Sequence, residues 1–342
     1  MTGDNVGTAI DILLLSGKSV LLAGAPGTGK TRLGLDTARS FTGIDPVVIV
    51  GRGDMVAREL LYSYEPLNSG FRVVLGPLSL SVLASWARLL AGLPPRWLLL
   101  DEINRMNAET VLGNLFTALD LAHRQRVEVV PRWLVERVLG DDFLVEEVAD
   151  IAGFEKSKVR KLLEKALYKA LAGPDKLPGL PLPFSWRVIA TMNLVDRAHL
   201  FRLGFALLRR FPLVLVPGVG GKVWPELRTE RIENIEKTMP NQVKLLYKNL
   251  QSLIRDEICR SSIDQLFVRS NITEYDRPVY ILGMGDNIVH ETLNMFANVV
   301  KIAAILIAEM SSIGVEIGPA LLADICRVLL IARLYYTSAS DN

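Results

Sequence analysis

Five short runs along the chain are almost wholly apolar: SVLLAG (19–24), PVVIV (46–50), WLLLD (97–101), WRVIATMN (186–193) and FPLVLVP (211–217). None alternates apolar with polar positions, so the first four read as strands buried on both faces, and the fifth closes the series. Helix-length segments separate them, beginning with GKTRLGLDTARSF directly after the first. Strands alternating with helices predict an α/β fold whose parallel sheet is covered by helices. Ligands of such sheets bind beyond the carboxyl ends of the strands. That edge holds Gly24 and the residues after it, Asp101 with Glu102, and Asn193.

After Pro217 the pattern changes. GVGGK (218–222) reads as a hinge, and helical periodicity dominates from there, notably in HETLNMFANVVKIAAILIAEM and ALLADICRVLLIARLYY. The expected division is an α/β core over 1–217 and a mostly helical second domain over 218–342. Inside the core, VEEVADIAGFEKSKVRKLLEKAL places Ala149, Gly153, Val159 and Leu162 at helix-turn-helix spacing. A small residue lets two helices approach, the glycine turns the chain, and the apolar pair seals the second helix. This predicts a helical insertion over 131–182, its second helix running from about 155 to 171. That helix carries Lys156, Lys158, Arg160, Lys161, Lys165 and Lys169 against Glu155 and Glu164, after an acidic segment with Asp141, Asp142, Glu146, Glu147 and Asp150. Two readings stay open: contact with DNA through Lys156, Lys158, Arg160 and Lys161, or a solvated basic face used for subunit and partner contacts.

Composition narrows the class. With 342 residues and half of them hydrophobic, the chain has ample material for a large core. A net charge of +2 gives no global field for nucleic acid or membrane, so any such role rests on a local patch. The two cysteines, Cys259 and Cys326, make no disulfide framework, and His123, His199 and His290 have no metal-ligand spacing. The start of the chain lacks a basic n-region, and the most apolar run, IAAILIAEM, is too short to span a bilayer. A soluble cytoplasmic protein without membrane contact is expected. Trp86, Trp97, Trp133, Trp186 and Trp224 are expected to be packing anchors.

The chemistry concentrates in GAPGTGKT, which fits the P-loop pattern between a buried strand and a helix. Its Gly24, Gly27 and Gly29 let successive N–H groups point inward at phosphate oxygens, and the following helix adds its positive end. The expected cradle is Gly24, Ala25, Pro26, Gly27, Thr28, Gly29, Lys30, Thr31 and Arg32, with Lys30 on the β- and γ-phosphates and Thr31 placing its hydroxyl on Mg²⁺. Asp101 and Glu102, ending a fully apolar strand, supply the acidic half: Asp101 holds Mg²⁺ through water, and Glu102 orients and deprotonates the attacking water.

With GAPGTGKT, LLLDEINR and WRVIATMNLVDR in this order, residues 15–217 resemble the AAA+ ATPases. Within them the chain looks most like the dynein-related branch that holds McrB-type restriction motors and MoxR-type ATPases. FRVVLGPLSLSVL (71–83) is similar to the helix-2 insertion of that branch, DEINRMNAETVLGNLFTALD to its Walker B strand and helix, and MNLVDRAHLFRLGFALLRRF to the McrB-type run. The resemblance implies that Asn193 is sensor 1. It makes Arg209 and Arg210 arginine fingers acting on the nucleotide of a neighbouring subunit in a ring, usually of six. It sets Arg105, Asp196 and Arg197 near the subunit boundary. It also implies a short hairpin before the sensor 1 strand, with RVEVV (126–130) and FSWRV (184–188) as its arms. The chain departs from the pattern at sensor 2: Ala320 stands where an arginine is looked for, and Arg327 lies two turns on.

The resemblance thus implies an ATPase, or a GTPase, that works on DNA and drives a separate McrC-like nuclease subunit. A MoxR-like protein-remodelling ATPase and a nucleotide-gated scaffold with little turnover stand as rivals.

Overall fold

The computed structural model describes residues 2–68, 70–121, 123–173, 176–194, 205–217 and 328. The chain opens with α1 (Thr2–Leu15), β1 (Val20–Gly24), α2 (Lys30–Thr42), β2 (Val47–Val50) and α3 (Ala57–Leu61). A hairpin of β3 (Tyr62–Leu67) and β4 (Gly70–Leu75) follows, then α4 (Pro77–Leu90), β5 (Leu98–Asp101), a 3-10 turn (Ile103–Arg105) and α5 (Ala108–Leu119). Next come β6 (Glu128–Val130), α6 (Arg132–Leu139), α7 (Asp142–Ala152), α8 (Lys156–Ala172) and β7 (Leu180–Pro181). The described run ends with β8 (Val188–Asn193), α9 (Phe205–Arg210) and β9 (Leu213–Leu215). The chain divides into two compact units, Met1–Gly221 with Val268–Pro278, and Lys222–Phe267 with Val279–Asn342. All described residues except Val328 belong to the first. The expected hinge and, apart from Val328, the second domain, with Cys259, Cys326, Trp224, His290, Ala320 and Arg327, lie outside the described residues, as do Asp196, Arg197 and His199.

All five expected strands form one sheet in the order β2-β5-β8-β1-β9, every pair parallel. The three central strands are apolar because both their faces are covered: Leu21, Leu99 and Ile189 are each 0% exposed. The expectation of two-faced burial fails for β2, where Val48 and Val50 are half exposed. An edge strand has a neighbour on one side only, and an apolar run does not reveal which strand ends the sheet.

Between α3 and α4 the chain buds out as the β3–β4 hairpin. Gly76 returns it: its N–H donates to the Leu61 carbonyl at 2.8 Å, and Pro77 opens α4 at the position where proline needs no hydrogen bond. A Cβ on Gly76 would lie 2.3–2.4 Å from the Glu59 and Leu60 backbone, so only glycine fits this join. The arm 71–75 lies where the resemblance puts an insertion; the other arm, YSYEPL, has no counterpart in the expectations. One face of the hairpin carries Tyr62, Tyr64 and Pro66 opposite Leu75, Val73 and Phe71, and Tyr64 and Phe71 are exposed.

The expected insertion is three helices, α6 to α8, standing on the β6–β7 pair. Ala149 and Val159 are buried, and Gly153 ends α7 at φ 73° with its N–H on the Ala149 carbonyl at 2.8 Å. This glycine takes the left-handed conformation that a side chain resists. The second hairpin arm is corrected: β6 pairs with Leu180–Pro181, not with 184–188. Residues 184–188 turn inward instead, because the Trp186 indole is fully buried and donates to Ser81 Oγ at 2.7 Å. Two arginines, buried Arg88 and half-buried Arg96, tie the insertion down. Arg88 of α4 donates to the Ala152 carbonyl at 3.0 Å and Arg96 to the Ile151 carbonyl at 2.8 Å, satisfying the last carbonyls of α7 where the helix dipole favours a cation. Trp86, Trp97 and Trp186 are buried as anchors; Trp133 departs from that expectation, being 46% exposed with its ring edge-on to Tyr62.

Candidate active site

The cradle begins where β1 runs out. Gly27 and Gly29 take positive φ, at 75° and 80°, and α2 starts at Lys30. Gly24 is needed for a different reason from the expected turn: a Cβ there would lie 2.5 Å from the Val216 carbonyl, where β9 closes against the loop. Lys30 is buried, and its ammonium donates to the Ala25 carbonyl at 2.7 Å, bridging the loop it serves. Burial holds the Lys30 ammonium below its ordinary pKa, while Asp101 and then Glu102 pull it back up. Arg32 is exposed and paired to Asp36 at 2.7 Å.

Opposite the cradle stand the acids. Thr31 Oγ1 donates to Asp101 Oδ1 at 2.8 Å, joining the start of α2 to the end of β5. Thr191, on the neighbouring β8, donates to the same oxygen at 2.6 Å and accepts from the Glu102 N–H at 3.0 Å. Glu102 adopts φ 54°, ψ 50°, a left-handed conformation that non-glycine residues seldom hold. Gly51 makes room for it, since a Cβ there would come within 2.4 Å of the Glu102 carbonyl. The Glu102 carboxylate is gripped at both oxygens: Asn193 Nδ2 donates to Oε1 at 3.2 Å, and the Arg105 guanidinium pairs with Oε2. Pro26, Gly27, Gly29, Lys30, Thr31, Arg32, Asp101, Glu102, Thr191 and Asn193 enclose a pocket of about 430 Å³.

The remaining candidates sit elsewhere. Arg209 and Arg210 are not among the residues lining this pocket. Arg209 is exposed, 3.5 Å from Asp120 Oδ2. Arg210 is turned onto α5, donating to the Phe116 carbonyl at 2.6 Å and to Ala206 at 2.8 Å. Arg105 serves Glu102 of its own chain. Lys156 is paired with Glu146 at 3.2 Å, Arg160 with Asp142, and Lys158 lies over the Phe154 ring at 4.0 Å; Lys161 is exposed. His123 is exposed. Thr191 is the site residue missing from the sequence reading. A lone hydroxyl two positions before Asn193 in an otherwise apolar strand, and so on the same face, was its signal.

The donor set suits Mg²⁺, a hard cation that takes few protein oxygens and keeps its waters. The Thr31 hydroxyl gives its proton to Asp101, which leaves its lone pairs to meet a cation. Residues 19–211 match the family described as AAA domain (dynein-related subfamily). The match spans more than half of the chain, which belongs to this family of AAA+ ATPases. No curated protein matches. Among solved structures, a provisionally assigned ATPase from Cytophaga hutchinsonii is similar at 15% identity and TM-score 0.37, covering 94% of this chain and 79% of that one. A likeness this loose adds nothing to the family assignment. No helix among the described residues is long and apolar enough to cross a membrane.

Proposed function

We propose that the chain hydrolyses ATP, or GTP, within a ring of its own copies, most simply six. It would spend that hydrolysis on DNA, as a McrB-like motor acting with a separate McrC-like nuclease subunit. The observation that carries the hydrolytic part is the convergence of Lys30, Thr31, Asp101, Glu102 and Asn193 on one pocket from three elements. Lys30 and the loop N–H groups hold the triphosphate, and Thr31 and Asp101 hold Mg²⁺, which when bound neutralises charge on the phosphate oxygens. Glu102 takes the proton of the attacking water, its carboxylate aimed by Asn193 and Arg105. Arg209, exposed at the end of α9, reaches the neighbouring subunit's phosphoryl group. The DNA part rests on the resemblance of MNLVDR and ALLRRF and on the basic insertion.

Phosphate release by the wild type and by Glu102→Gln tests catalysis; equal rates sink it and leave a nucleotide-gated scaffold. Affinity capture tests the biological role, which stands on recovery of a nuclease subunit. A second reading, protein remodelling of the MoxR kind, is favoured by the exposed Tyr64 and Phe71 on the hairpin face. Recovery of a folded protein client, with no nuclease and no DNA dependence, selects it.

A further inference from the structure

The positive charges of α8 fall into two groups. Those toward α7 are engaged: Lys156 with Glu146, Arg160 with Asp142, and Lys158 over the Phe154 ring. Lys161 and Lys165 are exposed and have no ion pair among the described residues, and Tyr168 leaves 72% of its surface open. Positions 161, 165 and 168 follow the four-and-three spacing that sets side chains along one helix face, a stripe about 10 Å long. The opposite face, with Val159, Leu163, Ala166, Leu167 and Ala170, is buried in the insertion. Glu164 is the carboxylate on the exposed arc.

Two ammonium groups in line with an exposed ring match a strand of nucleic acid, whose phosphates take the lysines and whose unstacked base takes the ring. The stripe is also firmly seated, because α7 is capped by Arg88 and Arg96 and α8 packs on α4. A helix that reads base edges does so with its N-terminal residues, and on α8 the charges there are engaged, Lys156 and Arg160 by α7 and Lys158 by Phe154 in the turn after it. We propose that Lys161, Lys165 and Tyr168 form a sequence-independent nucleic-acid contact on the C-terminal half of α8. This deepens the DNA reading above and shifts the contact away from Lys156 and Arg160.

The test is fluorescence anisotropy of the full chain with labelled oligothymidine and with a mixed-sequence duplex, titrated with salt. Lys161→Ala/Lys165→Ala is expected to lower the slope of log affinity against log salt by about 1.4 for the single strand and about 1.8 for the duplex. Tyr168→Ala is expected to weaken the single strand about tenfold and the duplex far less. Lys156→Ala should match the wild type. An unchanged slope in the lysine variant, an equal loss in Lys156→Ala, or no binding by the wild type at low salt overturns the proposal. A change in oligomer size in place of a change in nucleic-acid binding also overturns it, making the stripe a subunit contact. Phosphate release without DNA, measured on the same samples, stays at the wild-type rate in all three variants. Its loss through Glu102→Gln belongs to the hydrolytic reading, so the two can fail separately.

Discussion

Asn193 Nδ2 donates to Glu102 Oε1 at 3.2 Å across two adjacent parallel strands. An amide donor here fixes one carboxylate oxygen while the Arg105 guanidinium fixes the other. The proposed base is therefore held in place before any substrate arrives. Displacing a catalytic group by about 1 Å can cost a hundredfold in rate. Asn193→Ala is expected to lower kcat by ten- to a hundredfold with nucleotide affinity nearly kept. Asn193→Asp should lower it further, because two carboxylates would repel at this distance. Steady-state phosphate release with a separate equilibrium binding measurement checks both.

Thr191 makes both of its hydrogen bonds in a buried position, 1% exposed. Thr191→Val keeps the shape and leaves the Glu102 N–H without its acceptor and Asp101 without one donor. An unsatisfied buried group costs about 1–3 kcal/mol. Urea unfolding of the nucleotide-free protein should show a loss in that range, and Thr191→Ser should recover most of it.

Lys30 sets a pH dependence. Its pKa in the folded, nucleotide-free protein is depressed by burial below the ordinary 10.5. Lys30 therefore contributes stability above that unfolded value, and the contribution is lost as pH falls through the depressed folded pKa. At neutral pH the buried ammonium opposes folding until phosphates arrive. Lys30→Met should raise the Tm of the nucleotide-free protein at neutral pH while abolishing triphosphate binding, and its advantage should shrink as pH rises into the window below 10.5. In that window wild-type binding takes up a proton, so affinity falls as pH rises. Calorimetry in buffers of different ionisation heat reads the uptake directly.

The two arginines of α9 should behave differently. Arg210 is bonded to the Phe116 carbonyl and lies beside its ring, so it fastens α9 to α5. Among the described residues Arg209 has just the longer Asp120 contact, at the surface. Arg209→Ala and Glu102→Gln should each abolish hydrolysis alone. Mixed together they should regain activity, because an Arg209→Ala subunit keeps its own Glu102 and borrows Arg209 from its neighbour. No recovery on mixing would remove the trans role.

The three central strands were legible because burial on two faces leaves a plain mark, an apolar run without alternation; β2 carries the same mark with Val48 and Val50 half exposed. The acids at the end of WLLLD were legible for the complementary reason: charge directly after such a run needs a purpose. Topology left no such mark. That β2 is an edge, and that β6 pairs with Leu180 and not with Phe184, depends on which segments meet in space. Tyr62 to Leu67 does alternate, yet its exposed apolar residues look like neither a core strand nor a loop. The roles of buried Arg88 and half-buried Arg96 were invisible because their partners are main-chain carbonyls, which every position possesses.

That anonymity has a consequence for substitution. The two arginine bonds at the end of α7 read where a helix stops and not which residues compose it. A change of residue at the last positions of α7 would leave these two bonds in place as long as the helix still stops there, so that joint places little demand on the side chains it holds.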